Sequence, residues 1–200
     1  TTAPPSALDL GVLAKDVTNP FVNPDRYPET RLHADAPLKY YAEPLRSTLY
    51  AKVAREGTDK DGIICYDQAG KLVGNWWSSS SPSDLLSAEN YESYAMAFVY
   101  SNFEPSRIMI SIGTNFSGPD GLPWGAYAAE GPAPEDITPE SGVVTYVLFE
   151  YIQGQSPLLG DRVGILIVEM LDENTIRVQG FADTVSTTRE FTDDALIYLR

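Results

Sequence analysis

The chain has 200 residues and a formal net charge of −14, which results from 28 acidic and 14 basic side chains. Binding to a phosphate backbone depends on Lys and Arg, so this charge excludes a nucleic-acid-binding function. No stretch reaches the roughly twenty apolar residues that a transmembrane helix requires. The length fits one domain with a sizeable apolar core.

The N-terminal residues predict an exported protein. The chain begins TTAPPSA without a methionine, as a signal peptidase would leave it. Cys65 is the only cysteine, so the sequence offers no intramolecular disulfide, which by itself is more typical of the cytosol. We expect an extracytoplasmic location: secreted, periplasmic or at the cell surface.

Residues 1 to 37 form a Pro-rich segment that lacks the periodicity of a helix or a strand over most of its length. We interpret it as an extended N-terminal arm. Its apolar residues either dock on the rest of the chain or add to a neighbour as a strand. The predicted interface residues are Leu8, Leu10, Val12, Leu13 and Phe21.

The remaining residues, 38 to 200, predict a single β domain with one helix. Residues 43 to 56 have apolar residues on one face, Pro44 at the start and Gly57 at the end. Nine β-rich segments follow and predict an all-β, mainly antiparallel fold, a barrel or a barrel-like sandwich. They span residues 62 to 67, 71 to 77, 94 to 100, 107 to 113, 125 to 130, 142 to 152, 164 to 171, 175 to 181 and 195 to 200.

Two hairpins are predicted from their turns. The turn DQAG, with Gly70, joins the first two predicted strands. The turn DEN joins residues 164 to 171 to residues 175 to 181. If Leu171 faces Thr175 across this turn, Glu169 lies opposite Arg177 and forms a cross-strand ion pair.

No catalytic signature is found, so we expect a non-enzymatic protein without a cofactor or a bound metal. His33 is the only histidine, Cys65 lies in an apolar segment, and no serine has the G-x-S-x-G pattern. Asp59 and Asp61 resemble a calcium loop only faintly, and calcium is a weak prediction. Acids near strands keep a carboxylate-dependent hydrolase open as a lesser alternative. They are Asp67, Glu104, Glu130, Glu150, Glu169 and Asp172.

Aromatic residues are the richest functional signal. Trp76 and Trp77 are adjacent in a predicted strand, so their side chains must point to opposite faces of the sheet. We expect one to fill the interior and the other to be covered by the helix, the arm or a partner. In a ligand-binding protein, the predicted pocket residues are Trp76, Tyr94, Phe98 and Trp124.

The motif G-x-W at Gly74 to Trp76 resembles the opening motif of lipocalin-like calycins. That resemblance implies a glycine and a tryptophan on the first barrel strand that close one end of the barrel. In this chain more than seventy residues precede the motif. The segments YYAEPLRS, DGIICYDQAGKLVGNWW and GILIVEMLDENTIRV are similar to an uncharacterised family of exported bacterial proteins. This likeness implies export and no particular activity.

Two functions follow as hypotheses. The first is a structural or assembly subunit of an extracellular or envelope complex or filament, which binds a protein partner or copies of itself through the arm. The alternative is a monomeric calycin-like protein that binds a small molecule or a sugar. Assembly predicts an interface that includes residues 1 to 37, whereas a carrier predicts an interior cavity.

Overall fold

The computed structural model describes residues 11 to 87, 91 to 116, 121 to 152 and 159 to 200. Its strands are β1 Val12–Leu13, β2 Ala34–Asp35, β3 Gly74–Ser78, β4 Ala95–Tyr100, β5 Ile108–Ile112, β6 Gly125–Glu130, β7 Val144–Tyr151, β8 Leu159–Asp172, β9 Thr175–Phe181 and β10 Leu196–Leu199. Two short α-helices are α1 Glu29–Leu32 and α2 Leu45–Tyr50. Single 3-10 turns are Pro24–Arg26, Pro37–Tyr40, Leu85–Ser87, Tyr91–Tyr94, Pro134–Asp136 and Pro139–Ser141.

Strands β3 to β10 form a closed antiparallel barrel of eight strands. Each strand pairs with the next one along the chain, and β10 returns to pair with β3, where Leu199 lies opposite Trp77. The prediction of an all-β barrel is confirmed. Closure satisfies the backbone groups of every barrel strand and leaves no open barrel edge for a neighbouring chain.

Alternating side chains of the barrel strands fill its interior. Trp76, Phe98, Tyr146 and Leu166 are fully buried and belong to one continuous apolar cluster. Phe116 and Leu122, from the β5–β6 connection, close one end of this cluster. Leu72 and Ile137 close the other end, where the Leu72 backbone N–H donates to the Ile137 carbonyl oxygen at 3.1 Å.

The β8–β9 hairpin confirms the predicted ion pair and corrects the predicted register. Glu169 lies opposite Arg177, and their charged groups are 2.6 Å apart. Leu171 does not face Thr175, because a bulge after Met170 places Asp172 there instead. The bulge leaves Leu171 unpaired, so Met170 and the residues before it in β8 keep the predicted pairing with β9.

Two other predictions need correction. A helix lies within the predicted residues 43 to 56, but it is shorter than predicted and spans Leu45–Tyr50. Arg55, beyond its end, is buried and donates hydrogen bonds to the Ser101 and Asn102 carbonyl oxygens beyond β4. Residues 62 to 67 form no strand. The edge of β3 that they would pair with is occupied by β10, so the predicted DQAG hairpin is absent.

Residues 11 to 37 of the N-terminal arm fold back on the outside of the barrel. Strands β1 and β2 pair with each other as a separate two-stranded ribbon. Between them, Phe21 and Tyr27 pack in an apolar cluster with Trp77 and Leu85. In the parts of the chain that the structure describes, no helix is long and apolar enough to cross a membrane.

Candidate functional site

Trp76 is an interior residue near the end of the barrel that Leu72 and Ile137 close. Its indole Nε1 donates to the Leu72 carbonyl oxygen at 2.8 Å, and the Arg200 guanidinium lies 4.1 Å from the ring centroid. Arg200 also donates to the carbonyl oxygens of Lys71 and Val73. Burial lowers the pKa of Arg200. This cation–π contact and these hydrogen bonds fix the entry of the chain into β3.

Gly74 is required by the local backbone and by its neighbours. Its φ is +110°, a value that favours glycine. A Cβ at this position would meet the Asp67 carboxylate and lie 3.0 Å from Arg200 Nη2. Gly74 and Trp76 both lie on β3, the first strand of the barrel.

Asp67 joins the arm to the barrel. Its carboxylate accepts hydrogen bonds from the Val22 backbone N–H at 3.2 Å, the Tyr27 hydroxyl at 3.3 Å and the Asn75 backbone N–H at 2.9 Å. Burial, together with the Asp67 charge, raises the pKa of Tyr27. The phenol therefore remains a hydrogen-bond donor, and the Asp67 carboxylate adds to the apolar contacts that hold the arm against β3.

Trp77 lies on the outer face of the barrel and is covered by aromatic residues of its own chain. Tyr27 meets the indole edge-on at 5.8 Å between ring centroids, and Tyr91 stacks on it at 5.7 Å. Trp77 is 3% exposed, and Trp76 is 0% exposed. The prediction for the tryptophan pair is confirmed: one fills the interior and the arm helps to cover the other.

A pocket of about 560 Å³ lies at the other end of the barrel, beside Trp124. We call it the rim pocket. Its lining includes Glu92, Ser93, Tyr94, Thr114, Asn115 and Trp124. Trp124 is 62% exposed, a high exposure for a side chain that is largely buried on average.

The polar wall of the rim pocket is held by hydrogen bonds. Asn115 Nδ2 donates to the Ser93 hydroxyl at 3.0 Å, and the Asn115 backbone N–H donates to the Ser93 carbonyl oxygen at 3.0 Å. A Cβ at Gly113 would collide with the Ser93 and Ala95 carbonyl oxygens. Glycine therefore permits the turn after β5 to lie close to the residues before β4, which orders one side of the pocket.

A second depression, of about 280 Å³, lies between the arm and the outer wall of the barrel. We call it the arm groove. Its lining includes Phe21, Arg31, Asn75, Trp77, Ala97 and Ser111. On the arm side, Phe21 stacks on Tyr27 with 3.8 Å between ring centroids. At the rim, Arg31 forms an exposed ion pair with Glu92 at 2.9 Å.

The structure separates the four residues that the sequence predicted as one ligand pocket. Trp76 and Phe98 belong to the packed interior, whereas Tyr94 and Trp124 line the rim pocket. Tyr94 belongs to the Tyr91–Tyr94 turn, so the side-chain alternation of β4 does not extend to it. Of the remaining rim-pocket residues, Glu92 and Ser93 belong to the same turn, and Thr114 and Asn115 lie in the β5–β6 connection. These four had no signal in the sequence beyond the long connection that begins at residue 114.

The predicted interface residues also have different environments. Phe21 is buried against its own barrel, and Val12 is half-buried. Leu13 is 49% exposed on β1. Leu8 and Leu10 lie outside the described residues.

The side chains considered for catalysis have structural contacts. His33 Nδ1 donates to the Val17 carbonyl oxygen at 2.6 Å. Burial raises the pKa of Cys65 to about 11, so at neutral pH it is a thiol. Glu104 pairs with Arg107. Across the described ranges, no three His, Cys, Asp or Glu side chains are grouped so as to hold a metal ion.

The acidic pair that faintly resembles a calcium loop has protein partners. The Asp61 carboxylate accepts a hydrogen bond from the Tyr50 hydroxyl at 2.5 Å, and the Asp59 carboxylate accepts one from the Asp61 backbone N–H at 3.1 Å.

Comparison of the chain with family models, curated proteins and solved structures found no match. Functional inference therefore depends on the geometry of the chain itself.

Proposed function

We propose that the protein is a non-catalytic, extracytoplasmic binding protein that holds a neutral carbohydrate in the rim pocket. The observation that carries this proposal is the Trp124 indole, which is 62% exposed beside a pocket with several polar side chains. Ligand pockets combine apolar and aromatic walls with a few polar groups that orient the ligand. A sugar ring, with C–H groups on its faces and hydroxyls at its edge, matches that combination.

The charge of the protein supports an uncharged ligand. The chain has a net charge of −14, and the exposed carboxylate of Glu92 lines the pocket. An anionic ligand would be repelled by both. Sugar hydroxyls donate to a carboxylate and exchange hydrogen bonds with the Thr114 hydroxyl and the Asn115 amide.

The packed interior favours an external site over a calycin-like interior site. Trp76 and Phe98, which would line an interior ligand, are fully buried among other apolar side chains. Phe116 and Leu122 close the end of the barrel nearest the rim pocket. A ligand inside would have to displace these side chains from a close-packed core.

A glycan array tests the proposal directly. The intact protein, the Trp124→Ala variant and the Tyr40→Ala variant are labelled and screened against neutral oligosaccharides of cellulose, chitin and starch. Tyr40 is 54% exposed in the Pro37–Tyr40 turn, outside the rim pocket, so its variant controls for the loss of an exposed aromatic residue. We expect the wild type and Tyr40→Ala to bind the same glycans and Trp124→Ala to lose them. No bound glycan, or equal binding by Trp124→Ala, would contradict the proposal.

Assembly through the arm is a second candidate function, in an extracellular or envelope complex or filament. The observation that favours it is the β1–β2 ribbon, which lies outside the closed barrel and exposes Leu13. A two-stranded ribbon has edges that can pair with another chain. Light scattering should then give a particle larger than one chain, and Leu13→Asp should reduce it to the monomer. A monomeric wild type would refute assembly by self-association.

Export remains part of the proposal. It is what the resemblance of the three sequence segments to exported bacterial proteins implies. Fractionation of the source cells should place the protein outside the cytoplasm, and recovery in the cytoplasmic fraction would refute this location.

A further inference from the structure

We infer that the arm groove is a second subsite of the rim pocket, so that the ligand is a linear oligosaccharide rather than a single sugar. This inference rests on the proposed function. It concerns a different face of the molecule, the outer wall of β3, β4 and β5, and it assigns to the N-terminal arm the role of one wall of the site.

The two depressions adjoin at one turn of the chain. Glu92 lines both of them. Within the Tyr91–Tyr94 turn, Tyr91 faces the arm groove and Tyr94 lines the rim pocket. A chain of sugars that leaves Trp124 therefore passes Glu92 and enters the groove.

The floor of the groove is a row of side chains on three neighbouring strands. Asn75 lies opposite Ala97, and Ala97 lies opposite Ser111. Because Ala97 and Ser111 are small, the wall leaves about 280 Å³ of space between the aromatic residues and the arm. The Asn75 amide nitrogen donates to Asp67 at 3.3 Å, which fixes the plane of the amide.

The groove offers polar groups like those of the rim pocket: the Asn75 amide, the Ser111 hydroxyl and the Arg31–Glu92 ion pair. Its aromatic surface is Tyr91, which stacks on the buried Trp77. The ion pair is exposed, so its groups can exchange partners with ligand hydroxyls at little cost.

The arm supplies the opposite wall, so the groove exists only while the arm is docked. Phe21, Tyr27 and Arg31 line it, and Asp67 holds this part of the arm through Val22 and Tyr27. A ligand that contacts both walls binds only the docked state and therefore stabilises it. Amide exchange of residues 21 to 32 should slow when a long oligosaccharide binds and should not change with a short one.

The test compares ligands of increasing length. The glycan series that binds in the array is titrated calorimetrically from the monosaccharide to the hexasaccharide, with wild type, Ser111→Trp and Ser111→Ala. Ser111 is exposed on β5, so tryptophan fills the groove floor without entering the core. Ser111→Ala leaves the space open and controls for the loss of the hydroxyl. Thermal melts verify that each variant is folded.

We expect the affinity of the wild type to rise at least tenfold with length before it levels off. Ser111→Trp should lower the affinity for long ligands to that of short ones and leave short ligands unchanged, whereas Ser111→Ala should retain most of the gain. The second subsite would be refuted by equal affinity for all ligand lengths, or by long ligands that bind Ser111→Trp as tightly as the wild type. In either case, short ligands that still bind through Trp124 would leave the proposed function intact. If no member of the series binds, the proposed function itself fails.

Discussion

Replacing Asp67 with alanine should release the arm and destabilise the whole protein. The carboxylate accepts hydrogen bonds from the Val22 N–H, the Tyr27 hydroxyl and the Asn75 N–H. Leaving a buried donor unsatisfied costs about 1 to 3 kcal/mol. Because water reaches the half-buried Val22 and Asn75 groups in the variant, we expect a total loss of about 3 kcal/mol in the free energy of unfolding.

Urea denaturation followed by tryptophan fluorescence measures this loss. For a domain of this size, 3 kcal/mol corresponds to a fall of roughly 6 to 12 °C in Tm. Asp67→Asn is the matched control, because it keeps one acceptor oxygen and the side-chain volume, and we expect it to lose less stability than Asp67→Ala. A loss below about 1 kcal/mol for Asp67→Ala would refute the reasoning that this carboxylate holds the arm.

Three further predictions follow from the same geometry. Gly74→Ala should lower the free energy of unfolding by more than about 2 kcal/mol, because the alanine would adopt a positive φ and collide with Asp67; an unchanged thermal melt would contradict this. Burial raises the pKa of Tyr146 and Tyr198 above the ordinary 10.0, so the unfolded chain loses these protons at a lower pH than the folded chain does. The free energy of unfolding should therefore keep its full value below pH 10 and fall as the pH rises above 10. Urea midpoints that stay constant from pH 9 to 11 would contradict that effect. Acrylamide should quench the exposed Trp124 and spare the two buried tryptophans, and in Trp124→Phe the remaining emission should resist quenching.

The strand pattern could be predicted because each barrel strand has its signal within a few residues. The predicted strands over residues 125 to 130 and 175 to 181 match β6 and β9. Residues 62 to 67 have the composition of a strand but form none, since barrel closure gives the free edge of β3 to β10. That outcome depends on a pairing between the first and last barrel strands, which local sequence does not encode.

The opposite orientations of Trp76 and Trp77 could also be predicted, because alternation is a property of any strand. The residues that pack against each of the two indoles could not be predicted. Arg200 reaches Trp76 from the last residue of the chain, and Tyr27 reaches Trp77 from the arm. Both contacts join segments that are distant in sequence.

The candidate site was only half predictable. Tyr94 and Trp124 were expected in a pocket, and they line one together. Trp76 and Phe98 were expected beside them because all four are aromatic, but the strands that carry these two direct them inward. The polar wall at Thr114 and Asn115 lies in a loop that is held by the hydrogen bond from Asn115 to Ser93. Such a loop has no hydrophobic periodicity from which its conformation could be predicted.

The calorimetric affinity of the wild type and Trp124→Ala for the glycan selected by the array tests the central claim most directly. Covering one face of the exposed indole removes roughly 75 Å² of apolar surface from water, which is worth about 2 kcal/mol, or roughly a 20-fold change in Kd. We predict that Trp124→Ala weakens binding by about this factor while Tyr40→Ala binds as the wild type does. Equal Kd values for the wild type and Trp124→Ala would contradict a carbohydrate site at the rim pocket.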